Sequence, residues 1–225
     1  MNAWVIFDLD GTLIESEQVW RDVRRAFVLT HGGRWHDGAQ STMIGMRTTE
    51  WARYIHDDLG VPLAPEEIAR DVALLVAQRL REDIPVLPGA QRVLERLALS
   101  YPLAIATSAS RIVAETVLAK TGWERYFRVV VSADEVTRGK PAPDVYLRAL
   151  EIAHADPRVS AAVEDSTNGI LSARAAGLAV IAVPNREFPP TPGALASASE
   201  IVANLDAIDA ALVERAIARG SSSAG

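Results

Sequence analysis

Ala3-Trp4-Val5-Ile6-Phe7-Asp8-Leu9-Asp10-Gly11-Thr12 is an apolar run that stops at two carboxylates set two residues apart. Side chains alternate along a strand, so Asp8 and Asp10 leave its end in the same direction. Two like charges that close are costly unless a cation lies between them or one is protonated. The plain alternative is a polar strand end with a turn at Gly11. Four further apolar runs follow: Leu103–Ala106, Val129–Val131, Ala161–Val163 and Ala179–Val183. Each is bounded by polar, Gly or Pro residues, as strands buried on both faces of a parallel sheet are. Gln91–Ala98, Arg111–Lys120, Pro143–His154 and Thr167–Ala176 carry apolar residues at helical spacing, and Gly177 suits a C-terminal cap. Strand and helix alternate, which predicts an open α/β sheet.

One interval breaks that rhythm. Between residues 15 and 86 no strand is evident, and Gln18–Thr30, Thr48–Leu59 and Pro65–Arg81 all read as helices. We therefore expect a helical insertion over 15–86, set into an α/β core made of 1–14 and 87–219. An insertion after the first strand would lie over the carboxyl ends of the strands, where α/β sheets place their ligands. Residues 220–225 are Gly, Ser and Ala and are expected to be a disordered tail.

Other strand ends also carry chemistry. Ala161–Val163 runs into Glu164-Asp165-Ser166, then Thr167-Asn168-Gly169. In one parallel sheet these acids would converge with Asp8 and Asp10. Hard oxygen ligands with open positions are what Mg²⁺ prefers; the alternative is a simple helix cap at Asp165 or Ser166. Thr107-Ser108-Ala109-Ser110 offers hydroxyls and backbone N–H groups at a strand-to-helix turn, which can hold phosphate oxygens or merely cap a helix. Lys140, between Gly139 and Pro141, is a cation on a fixed backbone that could neutralise a phosphoryl group or the carboxylate attacking it.

The 225 residues are 49% apolar and 23% charged, enough for one sizeable core. A net charge of −6 argues against a nucleic-acid partner, which would need a basic surface. The absence of cysteine excludes disulfides and thiolate chemistry. No stretch reaches the ~20 apolar residues of a membrane helix. No signal peptide is evident, and a cytoplasmic location is expected. His31, His36, His56 and His154 lack metal-ligand spacing.

Taken in order, Asp8-Leu9-Asp10-Gly11-Thr12, Thr107/Ser108, Lys140 and Glu164-Asp165 resemble the signature motifs of the haloacid dehalogenase superfamily. The resemblance extends through about Pro184. It implies a Rossmann-like parallel core with an inserted α-helical cap. Leu13–Glu17, Lys140–Tyr146 and Glu164–Gly169 are similar to sugar-phosphate phosphatases of the 2-deoxyglucose-6-phosphate type and to β-phosphoglucomutase. The resemblance implies a Mg²⁺-dependent phosphomonoester hydrolase acting on a small phosphorylated metabolite, as a monomer or weak dimer. Asp8 would be the nucleophile and Asp10 the general acid and base. The side chains of Asp8 and Asp165 and the carbonyl of Asp10 would hold Mg²⁺, with Glu164 in or near that shell. Lys140, Thr107 or Ser108, and the backbone at Ala109 would bind phosphoryl oxygens.

Four readings compete with a sugar-phosphate phosphatase. A dehalogenase needs neither a metal nor a proton for its leaving halide, so Asp10 and Asp165 speak against it. A β-phosphoglucomutase needs a second, cationic phosphate site in the cap. Its pattern has His where this chain has Trp20, Lys near Ile44 and Arg near Thr48, and none matches. A phosphoglycolate phosphatase needs a cation for the carboxylate, which Arg47 could supply. A catalytically silent protein on the same scaffold would be signalled by loss of Asp8 or Lys140, and both are present. In the cap, Trp20, Gly45 and Arg47 are the candidate substrate contacts, with Trp20 read as an aromatic surface for a sugar or as core packing.

Overall fold

Val5, Ile6 and Phe7 are all fully buried. Alternation sends Val5 and Phe7 into one apolar cluster and Ile6 into another, so this strand needs cover on both faces. It is the third strand of a six-stranded parallel sheet in the computed structural model, which describes residues 3–44, 46 and 48–222, the side chains of 221 and 222 apart. The strands are β1 (Val5–Phe7), β2 (Leu103–Thr107), β3 (Phe127–Ser132), β4 (Ala161–Glu164), β5 (Ala179–Ala182) and β6 (Glu200–Ile201), in the order β3-β2-β1-β4-β5-β6. β1 pairs with β2 through Ile6↔Ala104 and with β4 through Ile6↔Ala162, so the chain reverses direction across the sheet at β1. Ligands bind outside the carboxyl ends of strands at such a switch point.

The helices are α1 (Glu17–Thr30), α2 (Ala39–Met43), α3 (Thr48–Asp57), α4 (Pro65–Glu82), α5 (Ala90–Leu97), α6 (Arg111–Thr121), α7 (Asp144–Ala153), α8 (Thr167–Ala175), α9 (Pro192–Ser197) and α10 (Ala210–Ser222). Helices α1 to α4 fall between β1 and α5. The chain leaves and returns side by side: Glu15 N–H donates to the Pro85 carbonyl at 2.8 Å, and Leu87 N–H to that of Leu13 at 3.0 Å. Gly89, at φ +90°, turns the chain into α5. Among the described residues no helix is long and apolar enough to cross a membrane.

Sequence reasoning did not foresee α2, α9, α10 or β6. β6 is only two residues long, and neither of them is buried. The disordered tail expected from Gly220 is corrected, because α10 continues to Ser222. Gly220 lets the helix end pass close to β5, since a Cβ there would lie 3.1 Å from Ala179. Residues 223–225 lie outside the described residues.

Ile6 touches both neighbouring strands and has no solvent contact, so Ile6→Ala is expected to cost about 2–5 kcal/mol through lost burial and a residual cavity. Urea denaturation checks this; a cost under about 1 kcal/mol would contradict a tightly packed strand.

Candidate active site

The ends of β1 and β4 meet over a lysine. Asp8 extends the β1 ladder by one residue, its N–H donating to Val163 at 3.0 Å. Lys140 precedes α7, and its Nζ donates to Asp8 Oδ1 and to Glu164 Oε1, each at 2.6 Å. All three side chains are buried. Tyr146, one turn into α7, donates its hydroxyl to Glu164 Oε1 at 2.8 Å and lies with its ring 5.0 Å from Lys140 Nζ. Glu164 Oε2 accepts from the backbone of Asp165 at 3.1 Å and from Ser166 Oγ at 3.3 Å. Both oxygens of Glu164 are thus occupied by donors.

Two glycines make room for these acids. A Cβ on Gly169, in the first turn of α8, would fall inside the Glu164 carboxylate, and one on Gly11 inside that of Asp165. Gly11 also has φ +82°, which side chains other than hydrogen resist. Thr12 Oγ1 donates to Asp165 Oδ1 at 3.2 Å. One carboxylate oxygen from each of Asp8, Glu164 and Asp165 lies within 4.8 Å of the others, close enough to hold a metal ion together.

Asp10 sits in a different neighbourhood. Its Oδ1 accepts from Ser16 Oγ and, at 3.4 Å, from Trp20 Nε1; its Oδ2 accepts from Thr107 Oγ1 at 3.4 Å. Ser16 and Trp20 lie at the start of the helical insertion, whereas Thr107 ends β2.

The charges do not balance. Burial and then the charges of Glu164 and Asp10 push Asp8 up to about 8, against the pull of Lys140. Asp165 is also held well above the usual carboxylate range, first by burial and then by Glu164 and Asp8. Burial opposes the charge on Lys140, but Asp8 and Glu164 outweigh it and raise the ammonium further. Burial raises Asp10 too, only partly offset by its donors from Ser16, Trp20 and Thr107. One ammonium among these carboxyl groups leaves an excess of acids over cations. An all-oxygen donor set with that excess fits a hard divalent cation.

A cavity of about 490 Å³ opens onto this group. Asp8, Asp10, Thr107, Ser108, Lys140 and Asp165 all line it; buried Glu164 does not. Thr107 Oγ1 is already engaged, accepting from the Ala109 N–H at 3.0 Å and reaching Asp10, so Ser108 is the freer hydroxyl. Trp20 does not line the cavity. It is buried against Trp51, ring centroids 6.0 Å apart, and Arg24, whose Cζ lies 4.7 Å from it, so it offers no open face to a sugar. Gly45 and Arg47 lie outside the described residues. The insertion instead contributes Glu17, Ser41 and Ile44, and the loop after β5 contributes Asn185, Glu187 and Phe188.

Sequence reasoning missed Thr12, Ser16, Tyr146 and Gly169 as parts of the site. A glycine in the first turn of a helix behind an acidic strand end was the available signal for Gly169. Arg24 gave none, because an arginine on a helix reads as solvated. It is in fact buried, and burial lowers it to about 10 despite the charges of Glu17 and Asp10.

A haloacid dehalogenase-like hydrolase family model matches residues 5–183. This chain belongs to that family. It is 34% identical over 208 residues to a bifunctional riboflavin kinase/FMN phosphatase of Arabidopsis thaliana, a match taking in 91% of this chain and 54% of that protein. The chain thus spans about half the length of that relative. It is also 34% identical over 182 residues to fructose-1-phosphate phosphatase YqaB of Escherichia coli, covering 80% of this chain and 96% of that one. Among solved haloacid dehalogenase-like structures, CbbY from Rhodobacter sphaeroides in complex with phosphate superposes with a TM-score of 0.83 at 26% identity, over 92% of this chain and 96% of that one.

Gly169→Ala separates propensity from packing. Alanine favours a helix by about 1 kcal/mol, but here its Cβ collides with Glu164 and disturbs the ion pair with Lys140. We expect a net loss of roughly 2 kcal/mol or more in urea denaturation. A stabilised variant would show that Glu164 is not fixed against α8.

Proposed function

We propose that this protein is a Mg²⁺-dependent phosphatase that hydrolyses a small phosphorylated metabolite, a sugar phosphate, through an aspartyl-phosphate on Asp8. The observation that carries this reading is the Asp8–Lys140–Glu164 arrangement beside Asp10 at the carboxyl ends of β1 and β4. Asp8 would attack phosphorus while the bond to the leaving oxygen breaks. Asp10 would give that oxygen its proton, and burial shifts its carboxyl upward, the direction that role needs. Water would then attack the phosphoryl group on Asp8 and lose its proton to Asp10 while the bond from Asp8 to phosphorus breaks, releasing phosphate and restoring the carboxylate. Lys140 and Ser108, with the N–H groups at the turn into α6, would hold the phosphoryl oxygens. Asp8, Asp165 and the Asp10 carbonyl would hold Mg²⁺, with Glu164 beside them; bound there, it would offset the charge of the phosphoryl oxygens.

Helices α1 to α4 would act as a cap that selects the rest of the substrate, while residues 1–14 and 87–219 carry the reaction. A cavity of this size takes a phosphosugar, and the kinship with a fructose-1-phosphate phosphatase supports that choice.

Phosphate release with Mg²⁺ across sugar phosphates, phosphoglycolate and nucleotides tests the reading. We expect a sugar phosphate to be the fastest substrate and Asp8→Asn to lose at least ~10³-fold. β-Glucose-1-phosphate with a trace of bisphosphate belongs in the panel; glucose-6-phosphate forming faster than phosphate is released would make the protein a mutase.

A pH dependence follows from Asp8. Its carboxyl binds protons more tightly in the metal-free folded state, at about 8, than in the unfolded chain at 3.8, so folding stability falls as pH rises between those values. Mg²⁺ is therefore expected to raise the thermal midpoint more at pH 8 than at pH 5. An equal shift at both would contradict an acidic site relieved by a cation.

A further inference from the structure

Arg24 is buried to 6% exposure one helical turn beyond Trp20, and its Nε has no hydrogen-bond partner among the described residues. Its guanidinium lies 4.7 Å from the Trp20 ring and 4.8 Å from the Trp51 ring, so the two indoles clamp it from α1 and α3. The indoles themselves meet edge to face at 63°. The far side of Trp20 reaches the reaction centre, where Nε1 donates to Asp10 Oδ1 at 3.4 Å. A leucine or methionine would fill the Arg24 position without desolvating a charge. Packing alone therefore leaves the choice of arginine unexplained, whereas the charges of Glu17 and Asp10 favour a cation there.

We propose that Arg24 is a positioning residue: clamped between Trp20 and Trp51, it fixes the Trp20 indole so that its N–H holds Asp10 in place to serve the leaving group. Ser16 and Trp20 both donate to Oδ1, whereas the one described contact to Oδ2 is the long one from Thr107. In the first step the bond from phosphorus to the substrate oxygen breaks, the bond from Asp8 to phosphorus forms, and a proton passes from the Asp10 carboxyl to the departing oxygen. Arg24 and Trp20 are unchanged by the step. This inference rests on the phosphatase reading above.

The test compares two leaving groups in the first turnover, before the hydrolysis that also uses Asp10. The probes are the sugar phosphate that wild type turns over fastest and p-nitrophenyl phosphate, whose leaving group departs as a stable anion and needs no proton. We expect Arg24→Met to lower the ratio of the first-turnover rates, sugar phosphate over p-nitrophenyl phosphate, by about tenfold or more. Trp20→Phe keeps the ring face but not the N–H and is expected to lower the ratio likewise, which keeps the test decisive if Arg24→Met does not fold. Asp10→Asn gives the full extent of the split. Slowing of both substrates by the same factor would assign Arg24 to packing alone and overturn the inference, as would no slowing of either. A wild-type protein that releases phosphate from neither probe would instead remove the phosphatase reading itself.

Discussion

The site depends on a single buried ammonium shared by two carboxylates. Lys140 is inserted between Asp8 and Glu164 at 2.6 Å from each, and removing it would leave both acids buried without a cation. Much of the local architecture serves this contact. Tyr146 adds a second donor to Glu164, the backbone after β4 adds more, and Gly169 leaves the carboxylate room beneath α8. Even so, one cation does not offset Asp8, Glu164 and Asp165 together. One oxygen from each of these three acids lies close enough to the others to hold a metal ion.

Asp8 and Asp10 are separated by one residue yet face opposite conditions. Asp8 is tied to the charged cluster between β1 and β4. Asp10 is bonded to neutral donors, two from the entry to the helical insertion and one from β2. Two carboxyl groups in environments this unlike can take different parts in one reaction, one as nucleophile and one as proton carrier. In the proposed reaction the same arrangement would tie the chemistry to the insertion, because Ser16 and Trp20 belong to the segment that enters it.

The apolar strands ending in acids were plain in the sequence, since burial on both faces forces continuous apolar runs and the sheet order brings their ends together. Asp8, Asp10 and Asp165 were legible for that reason, and Lys140 by its place between Gly139 and Pro141. Thr12, Ser16 and Tyr146 were not, because a hydroxyl carries no mark of what it will bond to. Trp20 was read as a possible sugar surface, whereas its ring is covered by Arg24 and Trp51 and only its N–H reaches the site. Arg24 was silent, because a buried cation held by aromatic faces has the same local pattern as a solvated one. α10 was also missed, although Leu212, Val213, Ala216 and Ile217 fall at helical spacing and Asp209 caps its first turn.

The central claim, that Asp8 is the residue phosphorylated during turnover, is tested most directly by stopping the reaction with acid and mapping the peptides by mass. The expected result is one phosphoryl group on the peptide containing Asp8, lost on treatment with hydroxylamine and absent from Asp8→Asn. An active protein that never carries a phosphoryl group there, or carries it elsewhere, would contradict the claim.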